Sequence, residues 1–372
     1  MSCSKVYFTD FRSYHEEALT HKLQRLMDKA GLGQLDMEGK YVAIKMHFGE
    51  LGNLAFLRPN WAKAVADYVK SKGGRPFLTD CNTLYVGSRK NALDHLDTAF
   101  ENGFSLFSTG CQILIADGLK GTDDVLVPVD GDYIKQAKIG RAVMDADIII
   151  SLTHFKGHES TGFGGAIKNL GMGCGSRAGK MEMHSSGKPQ VDQDRCVGCG
   201  ECRRNCAHDA ITIENHKAFI DHNKCVGCGR CIGACPRDAT HPTGDNTNEV
   251  LNCKMAEYAL AVVNHRPQFH VCLVQDVSPC CDCHGCNDTP ILPDIGMFTS
   301  FDAVAIDQAC ADACLKADPL PNSILSENLS HGCDHPHDHF LATNPNAEWK
   351  AALEHGEKIG LGSREYELIQ MK

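Results

Sequence analysis

Short apolar runs and amphipathic stretches take turns along the first half of the chain. "KYVAIKMHF" at 40–48, "RPFLTDC" at 75–81, "QILIADG" at 112–118 and "ADIIISLTHF" at 146–155 read as buried strands, and the segments between them are long enough for helices. Two helices stand out: "PNWAKAVADYVKSKGG" and "SYHEEALTHKLQRLMDKAGLG". In the second, Ser13 with Glu16 three residues on gives a capping-box signature ahead of apolar positions at helical spacing and a glycine stop. Such alternation predicts an α/β fold with a parallel-type sheet covered by helices.

From about Ser186 the periodicity gives way to glycine, cysteine and short turns, and it returns near Asn248 at "NEVLNCKMAEYALAVVNH". "QFHVCLVQDV" then predicts another buried strand, and "SFDAVAIDQACADACLKA" a helix with Asp302 as its N-cap. "NAEWKAALEHGEKIGLG" predicts a last helix and "SREYELIQ" a closing strand or docked extension. The expected division is an α/β domain in two parts, 1–185 and 248–372, interrupted by a small insert at 186–247.

The insert is a duplication. "CVGCGECRRNCAHD" at 196–209 recurs 29 residues later as "CVGCGRCIGACPRD", each with C-x2-C-x2-C-x3-C spacing. Three closely spaced thiolates reach irons of one cluster while the fourth is carried to the other, so the spacing predicts crossed ligation. Cys196, Cys199, Cys202 and Cys235 would hold one 4Fe-4S cluster, and Cys206, Cys225, Cys228 and Cys231 the second. Zinc takes separated cysteine pairs and suits this double run poorly. The run resembles bacterial two-cluster ferredoxins, with Pro236 after the last cysteine and a departure at Ala207 after Cys206.

Composition narrows the surroundings. A net charge of −10 argues against a nucleic-acid or membrane-surface partner, and 21 cysteines point to metal ligation in a reducing compartment. With no basic segment leading into an apolar run in "MSCSKVYFTDF", and no apolar run near the roughly 18 residues that span a bilayer, a cytoplasmic protein is expected.

A second chemical centre is expected beyond the strand at 146–155. "THFKGHESTGFGGAIKNLGMG" places His154, Lys156 and His158 at a strand end, followed by Gly162, Gly164 and Gly165, with Lys168 next. Ligands of open α/β sheets bind off the carboxyl ends of strands, and glycine-rich turns into helices offer N–H groups to phosphate or carboxylate. The expected roles are catalytic for His154, Lys156, His158 and Lys168, and anion-binding for Gly162, Gly164, Gly165 and Arg177. His47, at the end of "AIKMH", points toward the same cleft. The G-x-G-x-x-A of Gly173, Gly175 and Ala178 follows no strand of its own and is read as chance.

On "THFKGHESTGFGGAIKNLGMG", on "DCH" at 282–284 with "LPDIGMFTSFDAVAIDQA" after it, and on the closing "GLGSREYEL", the chain resembles the family catalogued as domain of unknown function 362. The resemblance covers nearly the whole chain. It implies that a ferredoxin insert is a known arrangement and leaves the reaction open. A fainter similarity runs to lactate-racemase-type enzymes, whose Gly-Gly-x-Lys stretch carries a tethered nickel pincer nucleotide. It would place Lys168 at the lysine and His184 at a metal-binding histidine, with an extra residue in "GGAIK" as a departure.

Outside these motifs, "SPCCDCHGCND" sets Cys280, Cys281, Cys283, His284 and Cys286 just after a strand. Cys281, Cys283 and His284 are the expected metal ligands there. Cys310 and Cys314 share one helix face and read as buried thiols, and "HGCDHPHDHF" at 331–340 is a metal-trap or solvated loop. The chain is thus expected to be an iron-sulfur oxidoreductase or electron-transfer protein, served by a redox partner of ferredoxin or flavoprotein type, that passes electrons to an anionic molecule in the α/β cleft. A racemase-like enzyme with a metal cofactor at Lys168 and a pure electron carrier are the alternatives.

Overall fold

The computed structural model describes residues 3–371 apart from Tyr14, His15, Val86, Ser186, Asp245 and His265, so the expected boundary at Ser186 lies outside the described residues. Eight strands form one sheet: Ser4–Thr9 (β1), Tyr41–Lys45 (β2), Arg75–Asp80 (β3), Gln112–Ile115 (β4), Ile148–His154 (β5), Gln268–Val274 (β6), Gly296–Ser300 (β7) and Tyr366–Gln370 (β8). Their spatial order is β8-β1-β7-β6-β5-β2-β3-β4. Only β7 runs against the others, pairing antiparallel with both β1 and β6. The expected α/β, parallel-type sheet is what the chain forms.

The helices that matter for the site are Leu19–Lys29 (α1), Pro59–Ser71 (α2), Ala166–Cys174 (α3), Arg177–His184 (α4), Asn248–Val263 (α5), Ala303–Lys316 (α6) and Trp349–Lys358 (α7). Every residue of β5 is buried, as expected for a central strand covered on both faces. Its side chains alternate: Ile148, Ile150 and Leu152 pack with α1 and α2, while Ile149 packs with α3, α5, α6 and α7.

Element ends follow local chemistry. Asp302 caps α6 by accepting from the N–H groups of Val304 and Ala305, as its position ahead of an apolar run predicts. The expected capping box at Ser13 does not form. Helix α1 begins only at Leu19; Glu16 sits at φ 61°, which breaks the helical path, and Ser13 Oγ donates to the Glu17 carbonyl instead.

Residues 189–242 form a small body of two strand pairs, Pro189–Val191 with Thr240–Pro242 and Ile211–Glu214 with Lys217–Ile220, and two short helices, Glu201–Arg204 and Arg230–Ala234. Its apolar cluster gathers Cys196, Cys202, Cys231 and Cys235 around Ile211 and Ile232, and takes in Leu84 and Met181 from the α/β part. Among the described residues no helix is long and apolar enough to cross a membrane.

Candidate functional site

Strands β2, β3 and β5 lie side by side and end in Lys45, Asp80 and His154. Beyond these ends opens a cavity of about 320 Å³. At its floor Lys45 Nζ lies 3.0 Å from Asp80 Oδ1 and donates to Asn169 Oδ1 at 2.8 Å. Both charges are buried, and each is tolerable there because the other is present. Arg89 joins them from a loop, pairing with Glu50 at 3.0 Å and reaching His47 Nε2 at 2.8 Å. Burial, then Arg89, hold the His47 ring well below its ordinary pKa, so it is neutral. His47 lines the cavity.

Cys281 and Cys283 also line the cavity. Cys281 lies 3.1 Å from Lys168 Nζ. A hydrogen bond from Cys283, followed by Lys168, Lys156 and His158, drives the Cys281 thiol well below its usual pKa against the effect of burial, whereas Cys283 is pushed up. Cys281 is therefore the thiolate and Cys283 the thiol that donates to it. Burial opposes the charge on Lys168, but the Cys281 thiolate beside it outweighs burial and keeps the ammonium protonated.

His158 completes this group: one ligand-type atom each from His158, Cys281 and Cys283 lies within 4.8 Å of the others, close enough to share a metal ion. Burial, then Lys168, lower its pKa to about 4, so the ring is neutral. Its Nδ1 accepts from the N–H groups of Ser160 and Thr161, at 3.0 and 3.2 Å, which puts the remaining proton on Nε2. His158 thus offers a donor, and a metal at Nε2 would have to displace that proton. His284, expected as a ligand, stands instead at the mouth, 47% exposed and 3.0 Å from Glu159.

Several expected residues do other work. His154 does not line the cavity; its Nε2 contacts the Gln275 carbonyl at 2.7 Å and its Nδ1 lies 2.9 Å from Asp282. Asp282, kept below the usual carboxylate range despite burial by His154 and Lys156, holds Lys156 at 3.4 Å on the cavity wall. His154 thus stands behind the cavity wall, in contact with the Asp282 carboxylate that also faces Lys156. Gly164 and Gly165 line the cavity, but the N-terminus of α3 is already satisfied: the N–H groups of Ala166 and Ile167 donate to the Asp307 carboxylate at 2.6 and 2.9 Å. An anion there would have to compete with Asp307 for these two amides. Gly162, at φ 69°, turns a hairpin against Trp349. Arg177 points away, toward Gly229 and Gly233 of the cysteine body.

Lys45, Asp80, Arg89 and Lys180 line the cavity without having been expected. Lys45 and Asp80 did carry a signal, a charge inside an otherwise buried strand. The loop around Arg89 carries none. The Cys310 and Cys314 thiols are fully buried. His331, His335 and His337 join no cluster of ligands among the described residues, and His339 is buried with Nδ1 on the Cys314 carbonyl.

The small body holds two further cavities. Cys196, Cys199, Cys202 and Cys235 line one, and Cys206, Cys225, Cys228 and Cys231 line the other. The rest of each lining is largely apolar, with Ile213 and Ala218 in the first and Ile211 and Ile220 in the second. Backbone N–H groups of Ala218 and Ala239 donate to Cys196 Sγ and Cys235 Sγ at 3.3 and 3.2 Å. Four converging thiols and an apolar wall in each cavity, with amides aimed at sulfur in the first, fit a cubane iron-sulfur cluster.

Known proteins supply the context. A thylakoid-associated protein of Synechocystis is 26% identical over 167 residues, which are 44% of this chain and 48% of that protein, so the chain matches about half the length of its curated relative. The lactate racemase apoprotein from Thermoanaerobacterium thermosaccharolyticum is similar over 73% of this chain and 51% of its own, with 13% identity and a TM-score of 0.38. A Thermotoga maritima protein from a structural genomics programme is similar over 82% and 59%, with 12% identity and a TM-score of 0.42. Residues 42–312, from the start of the central strands through most of α6, match the family described as domain of unknown function (DUF362), and the chain belongs to that family.

Proposed function

We propose that the chain is an iron-sulfur oxidoreductase that carries single electrons through two 4Fe-4S clusters in the 189–242 body to a small anionic molecule in the α/β cavity. The observation that carries this reading is the division of eight cysteines into two foursomes, each closing its own cavity, in a body whose apolar cluster is shared with Leu84 on the wall of the large cavity. When bound, such clusters supply reversible one-electron storage.

The chain's own groups prepare the other end. Lys45, Arg89, Lys156, Lys168 and Lys180 line one cavity and favour an anion, which the hairpin at 156–164 and Tyr85 partly shield from water. Lys168 N–H and His158 Nε2–H are positioned to hold negative charge next to the Cys281 thiolate. Cys283, kept protonated beside Cys281, is a further proton donor in the cavity. Electrons would arrive from a donor protein of ferredoxin or flavoprotein type.

The test is reoxidation. The anaerobic chain, reduced photochemically, is mixed with a panel of anionic acceptors such as sulfite, nitrite and 2-enoate acids, and its visible absorbance is followed. One acceptor should speed reoxidation at least tenfold, and Lys168→Met should abolish that gain with iron content unchanged. Equal rates in both chains for every acceptor would overturn the reading.

A second reading, a non-redox enzyme with a cofactor tethered to Lys168, is favoured by one observation: Lys168 and His184 line the same cavity. It predicts a mass adduct on natively purified chain that maps to Lys168.

A further inference from the structure

The two cysteine foursomes descend from a repeat with a constant offset of 29 residues, so their surroundings should match. Some do. Lys188 and Lys217, also 29 apart, reach the carbonyls of Cys225 and Cys196, one at each cavity, and cancel. The remaining charges do not cancel. Glu201 and Arg237 line the first cavity where their counterparts Arg230 and His208 line the second, so the first lining holds a charge of each sign and the second holds no acid. Arg204 of the first copy corresponds to Gly233, and the space left there is filled from outside the body by Arg177 of α4.

A methyl group on Gly233 would lie 2.5 Å from Arg177 Cζ, and one on Gly229 would lie 2.8 Å from its Cγ. The Arg177 side chain is buried, donates to the Lys90 carbonyl and leaves Nε without a partner. Asp117 acts on it from beyond ion-pair contact, followed by Cys231 and Cys228. A buried guanidinium so poorly matched needs negative charge close by. A cluster held by four thiolates carries net negative charge, and gains one more on reduction.

We propose that Arg177 is the counter-ion of the cluster held by Cys206, Cys225, Cys228 and Cys231, and that this cluster is the higher in potential of the two and the one that faces the α/β cavity. The inference rests on the iron-sulfur reading above. Cysteines of both foursomes share an apolar cluster with Leu84, which lines the large cavity, and Met181, but it is the second foursome's loop that α4 touches: Met181, one turn after Arg177, lies 3.6 Å from where a methyl group on Gly229 would stand. Cys199 of the first foursome is exposed, on the side open to a donor. With clusters bound, Cys196, Cys199, Cys202 and Cys235 would hold the one that takes an electron from a one-electron donor protein, and Cys206, Cys225, Cys228 and Cys231 the one that would be reduced as the first is reoxidised, with no atom transferred. One feature pulls the other way: the N–H bonds from Ala218 and Ala239 favour reduction of the first cluster, and Pro189, 29 residues before Ala218, cannot donate to the second. Their fields are those of neutral dipoles, whereas Arg177 brings a full charge shielded from solvent.

The experiment is a redox titration of the full anaerobic chain followed by electron paramagnetic resonance, after iron and sulfide have been counted. A chain without about eight irons fails the iron-sulfur reading itself, before any titration. With the clusters present, two one-electron steps are expected. Cys199→Ser should perturb the lower one only. Arg177→Gln should move the higher step downward and leave the lower in place, and Arg177→Lys should restore most of the shift. If Arg177→Gln loses iron, Arg230→Gln carries the same expectation. Movement of the lower step, movement of neither, or loss of the higher step in Cys199→Ser would overturn the inference.

Discussion

The cysteine body and the α/β cavity both surround sulfur with charge, yet they are built in opposite ways. In the body, all eight thiols come from a stretch of 40 residues, 196–235, and their grouping follows from local spacing. In the cavity, the thiolate of Cys281 meets Lys168 from 113 residues away, and Lys45 meets Asn169 across 124. A site encoded locally can be inserted and can fail as a unit. A site assembled from strand ends stands or falls with the sheet.

The largest effect should come from removing metal. Chelation under reducing conditions should release residues 189–242 from hydrogen-exchange protection by several orders of magnitude while the amides of β2, β5 and β6 stay protected. Equal loss in both regions would break the contrast. Next comes the charge partner of the thiolate. Cys281 in metal-free chain should alkylate at a rate nearly flat across about pH 6 to 8, because its pKa is already depressed; Lys168→Met raises that pKa, so the rate at neutral pH should fall at least about tenfold and climb about tenfold per pH unit.

A smaller difference separates two histidines. His158→Leu should slow that alkylation several-fold by removing a polar neighbour that helps to lower the Cys281 pKa, whereas His284→Gln at the exposed mouth should change it by less than about twofold and cost under about 1 kcal/mol. An effect confined to the pH dependence of stability belongs to Asp307, which burial raises to about 7 although two amides donate to it. An unfolded aspartate titrates near roughly 3.9, so between those values the folded chain keeps a proton that the unfolded chain has lost, and stability falls as pH rises. Asp307→Asn should flatten that decline by up to roughly 1.4 kcal/mol per pH unit in urea melts.

The same contrast explains what the sequence disclosed. Strands β2, β3, β5 and β6 were legible because a buried parallel strand is a continuous apolar run, and the foursomes because their spacing is local. His284 and Arg177 lie away from the groups that the sequence set beside them, for a common reason. Each lies near the right motif, but chain proximity does not say which way a side chain turns: His284 turns to Glu159, and Arg177 turns into the space left by Gly233. The glycine-rich loop was read as an anion cradle because nothing near it in sequence revealed Asp307, 141 residues on, already bound to its amides. The late start of α1 has a local cause in the positive φ of Glu16.

The most direct test of the central claim is the iron and acid-labile sulfide content of anaerobically purified full-length chain. The account predicts about eight of each per chain, falling by about half in Cys199→Ala. About two zinc ions per chain with no sulfide would contradict it.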